Sequence, residues 1–443
     1  MCKWLGASVA CLLLLGSLLY TVSRLMPVPG DEADALTRLS MSQPLPGKNG
    51  SAAMWLLPYD VPEERAERLL APEVTRFAAT PIKVGEDASM FTLAFDSLPR
   101  LDGDLPDRGK ECRLQEAGCL EKVRASLPEY QRHLEARKKI SLRVAALDEY
   151  DYFRNPFASR LDTPFPSYQW LTRDLTVHAY AFIQGDVDLA LEGVCRDASI
   201  ARKLVASGDN LIGSMIGVVL MKGASLLFVE MLVELPADHP VPPRCLQVFR
   251  ADGAMSSSIC PTMLGEGRYS MEGLRSLYQA QAKQGWHPST WFIDIEKTLA
   301  RNAPRATWFC DSQANLQIVA DTPLQDARSS PSSISLQCVA NAMGCFTTDM
   351  FASGYAAYAW RLQDAEMRQK MVETWLWLRT NRDDRRPLAV RLASRPDALK
   401  SPAREIHIGE DGKALVAAMY ETRPDGDTWR LPIPPWMGDK TTP

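Results

Sequence analysis

From Trp4 to Ser23 the chain carries twenty residues without a charge, WLGASVACLLLLGSLLYTVS, between Lys3 and Arg24. A helix rises about 1.5 Å per residue, so this stretch matches a hydrocarbon core of roughly 30 Å. Trp4 and Tyr20 stand near its two ends, where aromatic rings favour the membrane–water interface. A cleaved leader needs small residues soon after the apolar run. Ala33-Asp34-Ala35 has them but lies too far downstream, and Thr21–Ser23 matches poorly. Lipidation at Cys11 needs an apolar residue three positions earlier, where Ser8 stands. The better reading is an uncleaved membrane anchor over residues 1–24, with cleavage as the alternative.

Flanking charge does not orient this span. Lys3 and the amino terminus oppose Arg24 and Arg38, which is close to a tie. Cysteine usage carries more weight. Beyond Cys2 and Cys11, eight cysteines remain: Cys112, Cys119, Cys195, Cys245, Cys260, Cys310, Cys338 and Cys345. Two pairs share one spacing, Cys112-x6-Cys119 and Cys338-x6-Cys345, and each closes a short loop. These two bridges are expected; the remaining four cysteines have no preferred pairing, because eight allow about 105 arrangements. Zinc is disfavoured, with no C-x2-C pair and five scattered histidines. Buried thiols in a cytosolic protein are the alternative. Disulfides favour a body on the oxidising side, in a single-pass inner-membrane protein facing the periplasm or an equivalent extracytoplasmic space.

The bulk composition narrows the class. Apolar residues make 46% and charged residues 23% of the chain, which supports a packed core and excludes wholesale disorder. The net charge of −4 comes without long runs of either sign, so no nucleic-acid surface is expected. Residues 25–48, with Met26-Pro-Val-Pro-Gly30, acids at Asp31, Glu32 and Asp34, and Pro44-Leu-Pro-Gly47, read as a linker. Residues 49–443 then form the body. Asn49-Gly-Ser51 matches a glycosylation acceptor. Ala52–Pro58 reads as a short strand, and Asp60 as the cap of a helix with Pro62, Glu63 and Glu64 in its first turn.

The middle of the chain has helical periodicity. Leu127–Tyr150 is amphipathic, and aromatic residues from Tyr150 to Trp170 suit a packed crossing between helices. After Gly185, with Asp186 as the expected N-cap, Val187, Leu191, Val194, Ala198, Ala201 and Val205 form one apolar stripe. Ser207–Asn210 turns the chain into a second apolar segment, Leu211–Leu235, which Pro236 ends. The small residues Ala179, Ala181 and Ala190 and the turn Gly185-Asp186 resemble a tetratricopeptide-type helical hairpin. That resemblance covers about sixty residues, has no second copy at a period of about 34, and implies only stacked helix pairs. Leu211–Val229 also holds Gly213-x3-Gly217, a spacing used by membrane helices. Lys222 near its centre would cost about 2.5–3.5 kcal/mol in a bilayer, so a buried core helix is preferred over a second span.

Further helices are expected over Met271–Ala282, Thr290–Ala300 and Thr348–Arg382. Glu405–Ile408 and Ala414–Tyr420 read as a β-hairpin around Asp411-Gly412, and Thr428–Leu431 as a third strand. The expected fold is mainly α: a membrane-anchored helical ectodomain of stacked hairpins, with a small antiparallel hairpin or three-stranded sheet within 404–432.

Chemistry is sparse. There is no G-x-S-x-G, Walker A loop, H-E-x-x-H or G-x-G-x-x-G. Asp174 and His178, four apart on a helix, come nearest to an acid–base pair, though a surface helix pair is the expected role. Asp102, Asp104 and Asp107 offer oxygens for calcium without the spacing of a helix-loop-helix site, and a solvated loop is the expected role. No catalytic residue, cofactor or metal is therefore expected. The expected function is a non-catalytic, membrane-anchored envelope protein, a scaffold or binding module for another envelope protein, with an inhibitor or immunity protein as a special case. A membrane-tethered hydrolase is the alternative.

Overall fold

Helices carry most of the chain in the computed structural model, which describes residues 2–41, 44–82, 91–101, 111–283, 288–326, 334–350, 354–421 and 426–438. The fold is mainly α with one small carboxy-terminal sheet, as the sequence pattern predicts. The amino-terminal helix, Cys2–Leu25, stands largely bare, and its described leucines are exposed. The segment expected as a linker differs from that reading. Gly30–Ser40 is a helix that buries Ala35 and Leu39 against Met271, Leu299, Ala303 and Ala306. Its polar residues hide the four-residue apolar spacing, and Arg38 pairs with Asp311 at 3.0 Å.

The central helix, Leu211–Glu234, organises the body. It packs between Val187–Ala206 and the long helix Tyr355–Thr380, and 78% of its most apolar window is buried. Its first turn is capped twice: Asn210 Oδ1 accepts from Gly213 N (2.9 Å) and Glu266 Oε2 from Leu211 N (3.1 Å). Its charged residues find partners in the segment around the Cys112–Cys119 bridge. Lys222 Nζ donates to the Gln115 carbonyl (3.3 Å), Glu230 accepts from Gly118 N and Leu120 N, and Glu234 pairs with Arg124. Burial pushes the Glu230 carboxyl up, and the backbone amides pull it back. All three charged side chains of this helix are thus satisfied within the protein.

Close approach of the central helix to Val187–Ala206 depends on one glycine of the G-x3-G spacing. A Cβ on Gly217 would stand 2.7 Å from the Ala201 carbonyl oxygen and 2.8 Å from Val205 Cγ2, whereas at Gly213 the nearest atom is 3.6 Å away. Gly217→Ala should therefore lose about 1–3 kcal/mol of stability, as overpacked cores do. Gly213→Ala should change stability little, and urea unfolding of the two variants side by side measures the contrast.

Two shorter segments also differ from the sequence reading. Ser51–Trp55 is a helical turn and not a strand. Asn49 Oδ1 accepts from Ser51 N and Arg154 N and bends the chain there, while Trp55 meets Phe95 and Phe157. A short apolar run fits either state, and here a turn fixed at its start decides. Asp60 caps no helix. Its amide bonds to Pro99, and helix begins at Glu63 as a 3₁₀ turn leading into Ala66–Ala79. Within the expected Thr348–Arg382 helix the structure has Ala342–Met350 and then Tyr355–Thr380.

The sheet runs β1 (His407–Ile408), β2 (Ala414–Ala418), β3 (Thr428–Pro432), all antiparallel, with Ile408 opposite Leu415 and Leu415 opposite Leu431. Gly412, with φ of 66°, takes the left-handed position of the β1–β2 turn. Arg404, just before β1, pairs with Asp364 of the long helix and with Asp321 in the turn after Ser312–Val319, each at 2.6 Å. Asp364 also accepts from the amides of Tyr420 and Glu421, both at 2.9 Å.

Four cysteine pairs stand at disulfide distance. They include Cys112–Cys119 (2.01 Å) and Cys338–Cys345 (2.05 Å), the two that spacing picks out. The others, Cys195–Cys245 and Cys260–Cys310, each join residues 50 apart.

Candidate functional site

A groove of about 530 Å³ opens where Leu127–Ala146 crosses the hairpin of Asp174–Gln184 and Val187–Ala206. The hairpin turns at Gly185, whose φ of 95° a side chain would strain. Asp186 is the N-cap residue of the second helix, but its side chain makes no capping bond. Leu134, Leu142, Val177 and Leu189 wall the groove, and Leu142 and Leu189 are exposed. Asp174, His178 and Asp197 form its floor.

These floor residues are held by bonds that the four-residue spacing does not reveal. His178 Nε2 donates to Asp197 Oδ2 at 3.0 Å, so the carboxylate that orients the imidazole comes from the next helix. Asp174 turns the other way. Its Oδ1 accepts from Arg137 Nη2 (3.1 Å) and Ser141 Oγ (3.0 Å). Arg137 is fully buried, and its Nη1 also reaches Glu111 Oε1 and the Arg173 carbonyl, both at 3.2 Å. Arg173 in turn approaches Glu111 at 3.4 Å. The result is a buried ladder of alternating charge, Asp174–Arg137–Glu111–Arg173, behind the groove. Asp174 and His178 are thus both buried, each bonded to a residue of another helix and not to the other, and they do not form a solvated surface pair. Asp197 was detectable in principle: it lies three residues after Val194 and next to Ala198, on the apolar stripe, where an unpaired carboxylate is costly.

The imidazole has little freedom. A Cβ on Gly193 would stand 2.3 Å from His178 Nδ1 and 2.4 Å from Cε1, so that edge of the ring lies directly over the glycine backbone. General-base catalysis by a His–Asp pair needs the nitrogen away from the carboxylate to face substrate. Here Asp197 takes Nε2, and the Nδ1 edge is packed against a helix.

Burial lifts the Asp174 carboxyl to about 6; Arg137 pulls it down, and the neighbouring Asp197 charge raises it further. A folded-state value raised from 3.8 means that the folded protein holds this proton more tightly than the unfolded chain. Its stabilising contribution is full below about pH 4 and is lost as pH rises through about 6. Asp174→Asn should remove this fall. Thermal unfolding at a series of pH values from 4 to 7 should show a flatter profile for the variant than for the parent protein.

The other sequence candidates lie elsewhere. Cys112 and Cys119 flank the groove indirectly, since Cys112 N donates to Thr176 Oγ1 at 2.9 Å; Cys338 and Cys345 sit beside the base of the amino-terminal helix. Asp102, Asp104 and Asp107 fall outside the described residues. Among the described residues, no three His, Cys, Asp or Glu side chains converge as metal ligands. No family model, curated protein or solved structure matches this chain.

Proposed function

We propose that this chain is a single-pass membrane protein whose disulfide-bonded body lies on the periplasmic or extracytoplasmic side and binds a partner there. The groove is the binding site. One observation carries the reading: an apolar-walled groove, rimmed by exposed Leu142 and Leu189, in which His178, the one imidazole among its described lining residues, is engaged on both edges. Such a groove between helices suits the apolar face of an amphipathic helix from another envelope protein. The bare amino-terminal helix and the bridged cysteines support the location.

A photoreactive residue in place of Leu189, activated in intact source cells, tests the site. One discrete protein adduct is expected, weakened when Leu142→Asp is added and absent from a label at exposed Val390. The hydrolase reading gives a different outcome. Turnover of an ester, amide or phosphoester by the purified protein, abolished by His178→Gln, would replace binding with catalysis.

A further inference from the structure

The last turns of the amino-terminal helix are gripped by two segments of the body. Tyr20 donates its hydroxyl to the Trp291 carbonyl (2.7 Å), and its ring meets Phe292 edge-on at 6.1 Å. Ser23 Oγ donates to the Gln337 carbonyl (3.3 Å) and accepts from Ala340 N (2.9 Å). Lys297 Nζ caps the helix end through the carbonyls of Ser23 and Arg24, at 2.8 and 2.9 Å, and Arg24 pairs with Asp294 at 3.4 Å. The body is therefore docked at the point where the uncharged stretch ends.

Around that point the body exposes apolar side chains that a water-facing surface does not need. Trp291 and Phe292 are 57% and 44% exposed and lie level with Tyr20, the aromatic that marks the end of the apolar stretch. Leu336, Val339, Met343 and Phe346 are exposed on the second segment. The Cys338–Cys345 bridge staples the two halves of that segment together. Asn341 Oδ1 fixes it to the first segment, accepting from Asp294 N (2.7 Å) and Thr298 Oγ1 (3.1 Å).

We infer that Trp291, Phe292, Leu336, Val339, Met343 and Phe346 form an apolar collar that seats the body in the lipid headgroup layer around the emerging helix. The inference rests on the reading of Cys2–Leu25 as a membrane span. Lipid is the occupant because the collar is continuous with the span: the bare leucines from Leu12 to Leu19 begin just above Tyr20 on the same helix. Any protein covering the collar would have to share it with the bilayer that covers those leucines. Trp and Phe at this level have the chemistry of an interfacial aromatic belt, with an apolar body at the boundary between acyl chains and water.

The full chain, reconstituted in phosphatidylcholine–phosphatidylglycerol vesicles, tests this with photoreactive benzoylphenylalanine placed singly at Trp291, Phe346, Leu15 and Val390. Lipid adducts are expected at Leu15, Trp291 and Phe346, in several-fold greater yield than at Val390. Adducts at Leu15 alone would overturn the collar and leave the span intact. No adduct at Leu15 would overturn the span and the collar with it. Equal yields at Val390 and Trp291 would also overturn the collar, because the contact would then be indiscriminate.

Discussion

Replacing Cys195 and Cys245 together by alanine should lower the stability of the body by about 4 kcal/mol, the chain-entropy value for a loop of this length. The bridge closes 50 residues, from the inward face of Val187–Ala206 to the helix Pro243–Val248. The whole central helix lies inside that loop. Both cysteines are fully buried, so the bridge constrains the core and not a surface excursion. The same substitution at Cys112 and Cys119, seven apart, should cost only about 2 kcal/mol by the same scaling. Urea unfolding of the detergent-solubilised protein, read by far-ultraviolet circular dichroism, compares them. Equal losses for the two pairs would contradict the assignment of the long bridge to the core.

Arg137→Met should cost about 3–5 kcal/mol, the loss seen when one partner of a buried ion pair is removed. The guanidinium is fully buried between Glu111 and Asp174, at 3.2 and 3.1 Å. Methionine fills much of the same volume, so the loss reports charge more than cavity. Glu111 and Asp174 would lose the guanidinium they share, while Glu111 keeps Arg173 at 3.4 Å. Adding Asp174→Asn to Arg137→Met should recover part of the loss, and the double-mutant cycle isolates the pair. A single variant within about 1 kcal/mol of the parent would mean that water reaches the ladder and that the groove floor is open.

Much of the fold was legible because its elements carry strong periodicity. The stripe from Val187 to Val205, the apolar run from Leu211 and the Asp411-Gly412 hairpin each specify one element with little competition. Short or polar segments were harder. Gly30–Ser40 buries only Ala35 and Leu39, too few apolar residues to stand out from a linker. Ser51–Trp55 is decided by the Asn49 side chain, a contact that apolar patterning does not record. The groove was half legible. Spacing brings Asp174 and His178 to one helix face, but the partners that define them, Asp197 and Arg137, arrive from other helices. Packing between elements sets those contacts, and no local pattern encodes them. The equal separations of Cys195–Cys245 and Cys260–Cys310 were likewise visible only after folding, because long loops compete among many pairings.

The topology proposed above is one span with an oxidised body outside. Protease added to intact spheroplasts of the source cell measures it directly, with a cytoplasmic protein as the control for lysis. With one span and an outward body, the body is degraded from outside while the control survives, and its cysteines stay unreactive toward maleimide until reductant is added. A body protected until the cells are burst, with its cysteines free to react, would contradict it.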